Sequence, residues 1–257
     1  MRTEKSILTY CVTVVCGLML LVGTTKISGK EYDKYLMNIT QADEQNTVTD
    51  IDGNIYKVVQ IGAQWWMAEN LRTTRYANGD PIPLISNNLE WSKLTTGAWC
   101  WYDNNSEHDE VYGKLYNWHT ISDERGICPE GWRVPSDEEW YFMENFIDPS
   151  INDPDQVNWR GTDAGTKLKA VGELFSGAGA GRGVRKRLNE YDFSAYLGGY
   201  RHIYGLFLNF EGSGIWWTST EYADHYALYR MMYFDLPNIR RLVDSKRYGF
   251  SIRCIKE

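Results

Sequence analysis

The 257-residue sequence has no excess of basic residues: Lys and Arg number 27 against 34 Asp and Glu, a net of −7. A surface that neutralises nucleic-acid phosphates needs the opposite balance, so that class of partner is excluded. The histidines are few and scattered, at His108, His119, His202 and His225, with no His-Glu-x-x-His pattern to set two zinc ligands on one helical face. No Gly-x-Ser-x-Gly elbow is present either, which removes a common signature of a strained serine nucleophile. Gly172, Gly177, Gly179, Gly181 and Gly183 form a glycine-rich run. No apolar strand leads into it and no Gly-Lys-Ser/Thr follows, so it reads as a mobile loop and not as a phosphate cradle. There is no internal repeat.

Cysteine is also sparse. Cys11 and Cys16 fall in the N-terminal stretch, leaving Cys100, Cys128 and Cys254. No two of these have metal-ligand spacing, so neither a zinc site nor any other cofactor is predicted. Outside a reducing compartment an odd number means one pair and one leftover, or exchange between chains.

Export is predicted from the first residues. Arg2 and Lys5 precede an apolar run from Ile7 to Gly23, and polar Thr24, Lys26 and Ser28 follow. Residues 1–29 therefore read as a secretory signal or an uncleaved anchor. Thr13, Val14 and Val15 lack the Gly or Ala that precedes a lipidated cysteine, so Cys16 is not assigned that role. The expected location is secreted or cell-surface, with membrane contact only through this segment if it is retained. Residues 30–47 form a polar spacer, and 48–257 a single domain.

Aromatic residues are abundant, with 11 Trp and 18 Tyr. Large rings could fill a core poor in regular helix, or line a surface that stacks on sugars or peptides. The core reading takes most of the individual residues.

Local patterns sketch the elements. Val48 to Ile51, an Asp52-Gly53 turn and Asn54 to Ile61 make a hairpin, and Gly62-Ala63 turns the chain into Gln64 to Met67. Asn70 to Trp91, with Pro81 and Pro83, reads as loop. Gly97 to Tyr102 and Tyr112 to Trp118 read as extended. Ser136 and Glu139 form a capping box, from which a helix should bury Trp140, Met143 and Ile147. A second helix is expected from Asp163 to about Val171, capped by Asp163 and burying Ala164, Leu168 and Val171. Short strands follow at Tyr200 to Phe210, Ile215 to Ser219, Ala227 to Phe234 and Gly249 to Ile255.

Several of these segments carry a resemblance. Asp52 to Lys57, Trp66 to Thr73 and Tyr112 to Trp118 are similar to the Fibrobacter succinogenes major paralogous domain. The likeness is strongest at Gly126-Ile127-Cys128-Pro129-Glu130-Gly131-Trp132-Arg133-Val134-Pro135-Ser136. It closes with Leu197 to Arg201, Trp216 to Thr220 and Gly249 to Cys254. Trp132 to Trp140, with the later Gly249-Phe250, also resembles more distantly the formylglycine-generating, or sulfatase-modifying, family. That likeness implies an α+β fold of C-type lectin-like variant, with two helices, short twisted antiparallel strands and long loops. It also implies a Cys128–Cys254 disulfide. Cys100 is then left over, and is expected to be buried between Trp99 and Trp101.

The formylglycine-generating enzymes use a closely spaced cysteine pair for copper and oxygen, and this chain has none. The calcium triplets of sugar-binding C-type lectins, Glu-Pro-Asn or Gln-Pro-Asp and Trp-Asn-Asp, are absent as well. Asp148, Asp153 and Asp155 make a loose acidic cluster with two readings, oxygen ligands for a hard cation or, in preference, a solvated loop between helices. The resulting expectation is a non-catalytic binding module with an extracellular ligand, glycan or protein. Its candidate ligand-binding residues are Trp216 and Trp217, with Trp65, Trp66, Trp99 and Trp101 behind them. Adjacent residues of a strand point to opposite faces, so one ring of each pair should face solvent or a loop. The alternative is a structural or adhesion module contacting proteins at the cell surface. An enzyme would need a pocket where a carboxylate or histidine meets a partner.

Overall fold

The computed structural model describes residues 46–171 and 188–257; the predicted signal, nearly all of the spacer and the glycine-rich run lie outside the described residues. The first strands form as the turn residues require. Strand β1 (Thr47–Thr49) is antiparallel to β2 (Ile55–Ile61), with Val48 opposite Tyr56. In the turn, the Asp50 carboxylate accepts the amides of Asp52 and Asn54 and the Tyr56 hydroxyl, while Gly53 sits at φ +86°. An Asx acceptor and a residue without a Cβ are what a tight turn of this kind needs. Strand β3 (Gln64–Met67) then folds back on β2 after Gly62.

The Asn70–Trp91 stretch is irregular until its last turn, α1 (Asn88–Trp91), where the Asn87 side chain accepts the Glu90 amide. The aromatic stretches predicted as extended supply only two-residue strands, β4 (Trp99–Cys100) paired with β5 (Leu115–Tyr116). Single-turn helices α2 (Asp109–Tyr112) and α3 (Trp118–Ile121) flank β5. Strand β6 (Trp132–Arg133) leads into α4 (Asp137–Ile147). Its capping box is complete: Ser136 Oγ accepts the Glu139 amide at 3.2 Å, and Glu139 Oε2 accepts the Ser136 amide at 2.8 Å. Trp140, Met143 and Ile147 turn into the core, as their spacing predicts.

After β7 (Asn158–Arg160), the second predicted helix is shorter than expected, as α5 (Ala164–Leu168). Asp163 makes no side-chain cap and instead pairs with Lys167 at 3.0 Å. Lys169 turns extended and bridges Ala195, which leaves Val171 60% exposed, although Ala164 and Leu168 are buried as expected. The remainder is β8 (Tyr200–Arg201), β9 (Phe207–Leu208), β10 (Ser213–Ala223), β11 (Tyr226–Tyr233), β12 (Ile239–Ser245) and β13 (Ile255–Lys256). One antiparallel sheet has the order β1-β2-β3-β13-β6, and a second β10-β11-β12-β7. The class is α+β. The expectation of two helices is corrected by three further single-turn helices among the described residues, and β7 and β12 were not anticipated. Arg240, Arg241 and Asp244 interrupt the apolar alternation of β12 and hide it.

The four-stranded sheet has two covered faces. Trp216, Met232 and Ile239 meet Trp140 of α4, together with Trp66, Leu168 and Phe193. Charges are buried in this layer: Arg230 donates to Glu144 at 2.6 Å and to Asp137 at 2.5 Å, Arg241 donates to Asp137 at 2.8 Å, and Arg160 donates to Glu144. Each carboxylate receives two guanidiniums, which offsets the desolvation that an unpaired charge would suffer. Trp217, Tyr229 and Met231 lie on the other face against Phe250 and Trp118. The Cys128–Cys254 disulfide implied by the resemblance is formed and spans 126 residues.

Candidate functional site

The six tryptophans are dispersed. Trp216 and Trp217 do point to opposite faces of β10, but both are fully buried, because both faces are covered. Trp216 donates Nε1 to Asn70 Oδ1 at 2.8 Å, and Trp217 donates to the Tyr116 carbonyl at 2.9 Å, its ring 4.3 Å from that of Phe250. Of the two outcomes expected for one ring of this pair, solvent or a loop, solvent is therefore ruled out. Trp66 is fully buried edge-on to Trp140, whereas its neighbour Trp65 keeps part of its surface. Trp99 is buried and donates to the Ile82 carbonyl; half-buried Trp101 stands edge-on to it at 4.8 Å. Apart from Trp65, these rings fall in three separate clusters. Cys100 is buried as expected, and desolvation pushes its thiol up to about 12, so it is no nucleophile.

Tyrosines do converge at the surface. Arg201 of β8 and Gly249 exchange backbone hydrogen bonds at 2.9 and 2.8 Å, which brings Tyr200 beside Tyr248 with ring centroids 5.9 Å apart. A Cβ at Gly249 would come within 2.9 Å of the Trp91 ring, so this approach depends on glycine. His202 lies edge-on to Tyr248 at 5.1 Å and contacts Tyr204, also at 5.1 Å. Buried Phe250 stacks under Tyr248 at 5.3 Å and meets Tyr200 and Tyr229 at 6.0 and 4.9 Å. The platform is thus rigid below and open above, with Tyr204 64% exposed and Tyr200, His202 and Tyr248 half-buried.

One carboxylate stands among these rings. Asp244 pairs with Ala227 across β11–β12, on the sheet face that also carries Tyr229 and Leu242. Its Oδ1 accepts the Ser245 amide at 2.8 Å; among the described residues neither a further hydrogen bond nor an ion pair reaches it. Burial raises its carboxyl above the ordinary value, against the smaller opposing effects of the Ser245 amide and His202. Burial also raises the Tyr200 and Tyr248 phenols, with Asp244's charge adding to both, and brings Tyr248 to about 12. At neutral pH the phenols remain hydroxyls, able to donate or accept. Nothing in linear spacing announces this group, because its members come from three strands and two turns.

Other features carry less chemistry. A cavity of about 420 Å³ lies beside the disulfide, walled by Ile121, Ile127, Trp132 and Val134, with Glu130 and Arg133 at its edge. Arg133 is committed to Glu139. Asp148 accepts from Ser150, Thr162 and the Asp163 amide, which hold its carboxyl well below the usual range despite desolvation. Among the described residues no three His, Cys, Asp or Glu side chains are grouped to hold a metal, and no helix is long and apolar enough to cross a membrane.

Comparison with known families decides the lineage. The family model described as Fibrobacter succinogenes major domain matches residues 59–256. This chain belongs to that family. The Fibrobacter succinogenes major domain thus spans β3 through β13, with the disulfide, the tyrosine platform and Asp244 all inside it, while β1 precedes it. No curated protein and no solved structure gives a significant match to the chain.

Proposed function

We propose that this member of the Fibrobacter succinogenes major domain family is an exported, non-catalytic module of C-type lectin-like architecture that binds carbohydrate. The tyrosine platform around Asp244, and not the tryptophans, is its binding surface. Export is supported by the basic start and apolar run of residues 1–29. The lectin-like reading is supported by sparse regular structure, antiparallel sheets, long loops and the Cys128–Cys254 bond.

The observation that carries the binding reading is the open row Tyr200, Tyr248, His202 and Tyr204 beside a carboxylate that has no side-chain hydrogen bond or ion pair among the described residues. Ring faces suit the C–H faces of a pyranose, and phenols and a carboxylate suit its hydroxyls. A non-catalytic role agrees with the chemistry here: His202 Nδ1 accepts the Tyr204 amide at 3.3 Å, and no hydrogen bond joins His202 to Asp244 among the described residues.

Full-length chain on a broad glycan array, beside Tyr204→Ala and Tyr200→Ala, tests this. Binding that weakens in variants with unchanged circular dichroism supports the platform as the site. Silence of the folded wild type across the array sinks the carbohydrate reading. A second reading, contact with proteins at the cell surface, is favoured by exposed Leu89 (64%) and Leu206 (55%). These lie on neighbouring segments, since a Cβ at Gly205 would fall 2.5 Å from Asn88 Cα.

A further inference from the structure

We infer that the glycan taken by this platform carries a protonated amine, for which Asp244 is the counter-ion. The inference rests on the carbohydrate reading above and narrows its ligand class. Asp244 is a half-buried carboxylate that, among the described residues, accepts a single hydrogen bond, from the amide of the next residue. The cations near it in sequence or on its strand are all committed elsewhere. Arg240 donates to Asn158 Oδ1 at 3.0 Å and lies 5.3 Å over the Trp159 ring. Arg241 faces α4 and Asp137 on the opposite side of the sheet. Lys246 pairs with Glu221 at 2.6 Å, and Arg247 donates to the Ser92 carbonyl at 2.8 Å. His202 already accepts the Tyr204 amide through Nδ1. Tyr229, on the same sheet face as Asp244, and Tyr200 and Tyr248, packed with it around Phe250, add no positive charge.

A charge held partly out of water with no ion pair among the described residues costs stability, and a ligand that supplies the opposite charge removes that cost. A neutral sugar's hydroxyls can hydrogen-bond the carboxylate but leave its charge unneutralised. An ammonium would neutralise it, and the surrounding ring faces, negative at their centres, favour a cation as well. Charge complementarity therefore selects an amino sugar with its nitrogen unacylated.

The test compares binding of the full chain to a glucosamine hexamer and to its fully N-acetylated counterpart, by calorimetry. The two share a backbone and differ in charge. Because the chain carries a net charge of −7, any oligocation could be attracted without a site, so exposed Glu124→Gln serves beside Asp244→Asn. The expected result is roughly tenfold tighter binding of the amine form, about 1.4 kcal/mol. That preference should be lost in Asp244→Asn and kept in Glu124→Gln. Equal binding of the two oligomers, or a preference that Asp244→Asn leaves intact or Glu124→Gln reduces equally, overturns the inference. Glycan-array binding confined to neutral sugars overturns it too, while the carbohydrate reading stands. A folded chain that binds no glycan at all overturns both.

Discussion

Asp244 and Trp217 lie on the same face of the second sheet and answer to different demands. Trp217 is fully enclosed, with its indole N–H satisfied, so it serves packing alone. Asp244 is held in partial burial that the Ser245 amide and His202 only partly offset, and its carboxyl is raised. A raised carboxyl means that the folded chain prefers the protonated form. Its stability therefore declines as pH rises from the ordinary 3.8 through the raised value, and the full cost of the ionised form is present at pH 7. Asp244→Asn removes that charge and keeps the shape. The variant should melt at the same temperature as wild type or higher at pH 7, with the gap closing below pH 3.8. A lower midpoint at pH 7 would show that Asp244 supports the fold and would remove its distinction as a binding residue.

At the scale of elements, α4 is held to the second sheet by charge as well as by Trp140. Desolvation acts to raise the Asp137 carboxyl, but hydrogen bonds and charge from Arg241 and Arg230 outweigh it, leaving a net depression. Glu139 is likewise depressed, by Arg133 and the Ser136 amide against desolvation. A depressed carboxyl stabilises fully above its unfolded value, here 3.8 and 4.5, and loses that contribution as pH falls through the folded value. Denaturant titrations at a series of pH values should show stability falling steeply below this range. Asp137→Asn should cost about 3–5 kcal/mol at neutral pH, since it takes the buried carboxylate from Arg241 and leaves Arg230 with Glu144 alone, and should flatten the acid limb. An unchanged acid limb would place the acid sensitivity elsewhere. The capping box of this helix was legible from Ser136 and Glu139 alone, because a cap is satisfied within one turn of chain. The end of α5 was not, because Lys169 leaves the helix to bridge Ala195, a contact with no local signal.

Across the whole molecule, the Cys128–Cys254 bond ties the segment before β6 to the approach to β13, in the sheet that also contains β1 to β3. The bond closes a loop of 126 residues, and chain-entropy reasoning assigns such a closure about 4–5 kcal/mol. Reduction, or replacement of both cysteines by alanine, should lower the denaturation midpoint by a corresponding amount while Cys100 stays unreactive to thiol reagents until the chain unfolds. Fast labelling of Cys100 in the native, oxidised protein would contradict its burial. Arg253, the residue before Cys254, is buried and donates to Asn70 and to the Phe193 and Ser194 carbonyls. Desolvation brings it down to about 9. The approach to the last strand is thereby joined to chain outside the disulfide loop, at Asn70, and within it, at Phe193 and Ser194.

The sequence by itself determined what depends on near neighbours: the two hairpins, the helix cap, the burial of Trp140, Met143 and Ile147, and the family through its motifs. Strand alternation likewise correctly placed Trp216 and Trp217 on opposite sides of β10. What covers each side was decided only by the tertiary structure, since α4 arrives from 70 residues earlier and Phe250 from 30 residues later. The same reason hid the candidate site: Tyr200, Tyr248 and Asp244 become neighbours only when Arg201 and Gly249 pair and β12 joins β11. Alternation specifies which side chains share a face, but solvent exposure depends on long-range packing.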